Sequence, residues 1–155
     1  MEISIVAQTV IAGVLVFVAS QLFLKLVIEP IHQLKKTMAD ISHTFVRYAH
    51  AILNPDVIPP ELHSEVFEKL RQLSGQLYAD MALIPLYPVF GTIFFLPRKE
   101  KVYKSAQNLI AVANWMHSKN DRKFDHIVRN IQNACDNLGL YIAPADRIPE
   151  EFLIK

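Results

Sequence analysis

The densest set of chemically capable side chains in this sequence is Arg98, Lys99, Lys101 and Lys104, interrupted by Glu100 and placed directly after a long uncharged stretch. Cations packed this closely can hold phosphate oxygens, whether those of lipid headgroups or those of a nucleotide or oligonucleotide. They also fall at the start of a predicted helix, where basic charge opposes the positive end of the macrodipole, so an anionic partner would relieve a cost. The plain alternative is a helix start that is merely basic, with Glu100 offsetting part of the charge. A second polar set is Lys36, His43, Arg47 and His50, which share one face at helical spacing. Asp40 lies three residues before His43 and begins a metal site, but no further ligand completes it. A solvated face is the default reading of this stripe, and an anion-binding strip is its rival.

Catalytic constellations are missing. The chain has only four Gly and no phosphate-cradling glycine loop. Its one cysteine, Cys135, excludes a thiolate zinc site and an internal disulfide framework, and fits a reducing compartment. Arg122 and His126, or Arg47 and His50, stand too close in sequence for the Arg-to-His motif of HEPN ribonucleases. The pairs Glu65/Glu68 and Glu150/Glu151 read as solvating surface rather than as general acid and base. The expectation is a protein that is not an enzyme and needs no cofactor and no metal.

The elements that must position these residues follow from charge and hydropathy. The 155 residues carry 16 Lys+Arg against 15 Asp+Glu, so no general polyanion surface is implied and any anion contact must be local. Residues 3–24 contain no charge. As a helix they would span roughly 33 Å, enough for a hydrocarbon core of about 30 Å. A cleaved signal peptide would want a basic start and a shorter apolar run. Here the start carries Glu2, and the apolar run continues past the small residues at 18–20. We therefore expect a transmembrane helix over residues 1–29 and a cytoplasmic helical domain over 30–155. Lys25, Lys35, Lys36 and Arg47 all follow the span, which puts the N-terminus outside. Within the span, Gln8, Thr9, Ala12, Gly13, Ala19 and Ser20 fall on one side. Small residues let helices approach closely, and an intramembrane Gln seeks a partner or water. A self-associating helix, with Gln8, Ala12 and Ala19 lining a pore, is the functional reading. An ordinary anchor is the bland one.

Beyond the span, the pattern predicts an all-α bundle of about four helices. Glu29-Pro30 either starts a new helix or kinks a continuing one. Ile31, Leu34, Met38, Ile41, Phe45, Tyr48 and Ile52 then recur at alternating spacings of three and four. This seam fits a parallel oligomeric coiled coil or packing inside one chain. A second helix begins at Pro60-Glu61 and ends at Ile84-Pro85, and residues 81–96 carry no charge. They form either a buried loop with a short helix around Pro88 to Phe95, packed in the core, or a segment at a membrane interface or subunit contact. A third helix follows Pro97. A fourth is capped by Asn120 or Asp121 and stopped by Gly139. Tyr141, Ile142, Phe152 and Leu153 belong to a C-terminal arm or tail.

Several of these pieces stand in a familiar order. The span running into Ile28-Glu29-Pro30-Ile31, the helix from His43 to Tyr48, Ile84-Pro85-Leu86-Tyr87, and Lys104-Ser105-Ala106 leading to Leu109-Ile110 and Asn114 resemble a family of small bacterial single-span inner-membrane proteins. Size and layout are also similar to the channel-forming membrane effector of Hailong-type anti-phage defence systems. That resemblance implies a homo-oligomeric pore near Gln8 in a bacterial inner membrane. It also implies a cytoplasmic ligand site controlled by a nucleotide or oligonucleotide regulator, made by a partner nucleotidyltransferase. No catalytic residue carries over. The competing expectation is a membrane-tethered adaptor that recruits a cytoplasmic protein.

Overall fold

The computed structural model describes residues 2–142 and 147, with side chains from residue 4 onward. Its dominant element is one unbroken helix over Ser4–Arg47, 44 residues long and apolar enough in its first half to cross a membrane. The first part, α1 (Glu2–Phe23), passes through a wider π-helical turn over Leu24–Ile28 into α2 (Glu29–Arg47). Pro30 explains the turn. A proline ring inside an α-helix collides with the carbonyl four residues back and offers no N–H. Widening the ladder just before it absorbs that clash, and the Glu29 N–H reaches the Leu24 carbonyl five residues back. Proline thus bends the ladder without ending the helix.

After a break at Tyr48 and the short α3 (Ala49–Leu53), the chain turns back into α4 (Pro60–Leu83), α5 (Tyr87–Ile93), α6 (Lys99–Met116) and α7 (Lys123–Leu138). Proline starts α4 at its first position. Pro85 ends it by holding Ile84 extended, at ψ 112°. Gly139, at φ 68°, closes α7, and the Leu140 N–H returns to the Cys135 carbonyl at 2.9 Å. Asn120 does not cap α7 directly. Its Oδ1 accepts the Arg122 N–H at 2.9 Å in a turn, and the helix begins at Lys123.

Successive long helices run antiparallel, as cross-contacts show. Between α2 and α4, Thr37 meets Asp80 and the following Tyr48 meets Glu65; between α4 and α6, Ser74 meets Ala106 and His63 meets Met116; between α6 and α7, Ser105 meets Ala134 and Trp115 meets His126, so that one helix's sequence rises as its partner's falls. The core fills with Leu34, Ile41, Leu70, Leu73, Leu77, Leu109 and Ile127, all fully buried. Burying each such side chain stabilises the fold by about 1.5–3 kcal/mol. The alternating seam lies in this core: Ile31, Leu34, Ile41 and Phe45 of α2 and Ile52 of α3 are buried against their own chain. The seam therefore packs the bundle rather than a coiled coil between copies.

One hydroxyl pins each helix pair. Ser74 Oγ donates to the Ala106 carbonyl at 2.8 Å, and Ser105 Oγ to the Lys101 and Ala134 carbonyls at 2.9 and 3.2 Å. Thr37 Oγ1 donates to the Asp80 carboxylate at 2.6 Å. Asp80 is buried. A buried carboxylate is costly without such a partner.

Candidate functional site

Every side chain from Ser4 to Leu26 is exposed, and of their rings only Phe23 meets a ring elsewhere in the described chain. Thr9 and Ser20 satisfy their hydroxyls on their own helix, donating to the Ile5 and Val16 carbonyls at 3.0 and 2.8 Å. Gln8 has no hydrogen-bond partner among the described residues. Ala12 and Ala19 lie on the same line of the helix as Gln8, and all three are exposed. Leu15 falls between them at helical spacing and is also exposed. The structure thus leaves the whole candidate pore face open to lipid or to other copies.

At the foot of this helix, α5 folds back against it. The Phe90 ring meets the Phe23 ring edge-on, with centroids 6.2 Å apart. Tyr87 holds α5 closed on itself. Its ring lies so close to Gly91 that a Cβ there would stand 3.2 Å from Cε1, and its hydroxyl donates to the Pro97 carbonyl at 2.8 Å. Left-handed backbone at Leu86 (φ 45°) and Phe95 (φ 55°) brackets the helix. For non-glycine residues this costs about 1–3 kcal/mol each. On and around this element Leu83, at the end of α4, and Leu86, Val89, Ile93 and Phe95 are all exposed. Of the two placements expected for this segment, the core takes Tyr87 and Gly91 and, half-buried, Phe90, Phe94 and Leu96, while Leu86, Val89, Ile93 and Phe95 stay exposed.

Arg98, Lys99, Lys101 and Lys104 follow at the start of α6, all exposed. None forms an ion pair among the described residues, and Lys99 Nζ sits 5.8 Å from the Tyr103 ring centre. They form an open basic surface beside α5 and line neither the cavity between α2, α3 and α7 nor the one beside Tyr48 and Glu65.

Other polar groups settle into structural roles. Lys36, His43, Arg47 and His50 stay exposed, and the break at Tyr48 separates His50 from the helix of the other three. Arg47 lies over the Tyr48 ring at 5.2 Å. The Tyr48 hydroxyl donates to Glu65, whose acceptance of that proton, with some burial, raises the phenol pKa. His117 packs edge-on against His63 and Phe67, and His126 stacks on Trp115 at 4.0 Å. No sequence spacing announced these pairs, because they join different helices. Among the described residues no group of three or more His, Cys, Asp or Glu is placed to hold a metal ion.

Away from α5, a cavity of about 390 Å³ opens between α2, α3 and α7, lined by Phe45, Val46, Leu53, Ile131 and Cys135 among others. Burial pushes the Cys135 thiol up to about 11, helped by the neighbouring Asp136. Ile142 packs on the core and Tyr141 is exposed. Phe152 and Leu153 of the expected arm lie outside the described residues. No protein-family model, curated protein or solved structure matches the chain, so its functional reading stands on this geometry and on the sequence motifs.

Proposed function

We propose that the protein is a membrane effector that oligomerises through its N-terminal helix into a gated ion-conducting pore, with the bundle as its control domain in the cytoplasm. Gln8 carries this reading. A primary amide at membrane depth without an intrachain partner is satisfied by another copy's amide or by water in a lumen. Ala12 and Ala19, on the same line, allow the close approach that a ring of helices requires. Lys25, Lys35, Lys36 and Arg47 after the span favour an outside N-terminus. A bacterial inner membrane, a role in anti-phage defence and control by a nucleotide-type signal from a partner nucleotidyltransferase rest on the resemblance. Such a signal would act at Arg98, Lys99, Lys101 and Lys104, changing how the bundle sits beneath the span.

The test is membrane potential in cells expressing the full chain or its Gln8→Leu variant, with recordings of both in planar bilayers. Depolarisation and conductance that Gln8→Leu changes support the pore. Conductance indifferent to Gln8, or none under any condition, overturns it. The groove between α2, α3 and α7 favours a second reading, a tethered adaptor that seats a partner's apolar helix there. An adaptor would keep its activity on a heterologous anchor, whereas a pore would lose it.

A further inference from the structure

We infer that residues 83–97 form a second membrane contact, a wedge lowered into the cytoplasmic leaflet beside the span, with Arg98, Lys99, Lys101 and Lys104 reading anionic lipid headgroups behind it. The inference does not rest on the pore reading, since a tether would make the same contact, and it gives these four cations to lipid headgroups in place of a nucleotide-type signal.

Four observations point to a lipid occupant. The Phe23–Phe90 contact ties α5 to the last turn of α1, on the apolar side of Lys25. The span and α5 therefore share a depth, and a bilayer that covers Phe23 also reaches α5. Next, the outward residues are those that water would reject. Phe95 is 92% exposed and Leu86 71% exposed, and residues 81–96 include no charge. These two residues also adopt left-handed backbone. A cost at two bulky apolar residues persists only where surrounding contacts over-determine it, and burying both side chains in hydrocarbon supplies such contacts. Finally, charge changes abruptly where the wedge ends. The four basic residues follow Pro97 directly and have no ion-pair partner among the described residues. An apolar insertion backed by cations is the pattern of an interfacial anchor on an anionic surface.

The experiment uses the full chain in phosphatidylcholine vesicles, with or without roughly 30% phosphatidylglycerol to supply surface charge. A spin label goes on Phe95→Cys, with Phe124→Cys on α7 as the control; the native Cys135 is buried. The label at 95 should collide more with dissolved oxygen than with a water-soluble nickel chelate, and the label at 124 the reverse. Anionic lipid should draw the label at 95 deeper. Replacing the four basic residues with Gln should remove that response, each contributing about fivefold in partitioning. Nickel access at 95 equal to that at 124 overturns the wedge. Broadening between labels at 95 on separate copies, in place of oxygen contact, assigns the surface to a second copy and overturns it too. A depth indifferent to anionic lipid overturns the headgroup role.

Discussion

The two halves of the Ser4–Arg47 helix have the same backbone and opposite side-chain logic. From Ser4 to Leu26 no residue is buried by the chain, and the apolar side chains point in all directions. From Ile31 onward burial recurs with the helical period, at Ile31, Leu34, Thr37, Ile41 and Thr44, and charges occupy the other faces. The lower half draws its stability from protein packing, and the upper half must draw it from whatever surrounds it. An all-round apolar helix and an amphipathic one are therefore read by what they leave unpaired. In the lower half every polar group on the buried face has a partner. In the upper half Gln8 has none among the described residues.

Mutations of equal size should separate the halves. The largest effect is expected from Leu34→Ala, which opens a cavity in a filled core and should cost about 2–5 kcal/mol. Leu15→Ala, the same deletion on the open half, should leave the thermal unfolding of the bundle in detergent unchanged. An equal loss from both would erase the distinction. Thr37→Val should come next, at about 1–3 kcal/mol, because it strips Asp80 of its hydrogen bond inside the protein. Adding Asp80→Asn or Asp80→Leu should recover part of that loss, and chemical unfolding of the double variants would show it. Pro30→Ala, at the border, should stabilise by less than the roughly 3 kcal/mol that a proline costs in a regular helix interior. The π-helical turn already absorbs the clash, and a larger gain would show that it does not. The smallest effect on stability, but a clear chemical one, concerns Cys135. Its thiol is raised from 9.0 to about 11 by burial. The protonated form then prevails at neutral pH, so alkylation should run about a hundredfold slower than at an unshifted thiol and accelerate as pH rises toward 11.

Much of the scaffold was legible because it is punctuated. Pro60, Ile84-Pro85, Pro97 and Gly139 mark helix ends that the structure reproduces, and the uncharged run at 3–24 marks the long apolar helix. Pro30 was ambiguous because a proline can start a helix or be absorbed by one, and only the neighbouring backbone decides. The α2 seam was ambiguous for a similar reason: a three-four spacing states that a face is buried and not by whom. Asp80 carried no signal at all. In α4 it reads as one more charged residue, and its burial depends on Thr37, forty-three positions away. The candidate site divides in the same way. Gln8 and the basic run at 98–104 stood out by type and spacing. The closeness of α5 to Phe23 did not, since an edge-on ring contact across sixty-odd residues leaves no periodic trace.

The absence of any loop between the apolar half and the bundle has a mechanical consequence. A helix of 44 residues, its π-helical turn included, runs for roughly 66 Å with no loop to interrupt it. A domain hung from a floppy linker can swivel and drift, but this one is keyed to its shaft. Twisting or tilting the bundle therefore applies torque to the upper half, and neighbouring copies standing in one membrane would present the same faces at the same height. Any partner that grips the bundle from below holds the handle of the helix above.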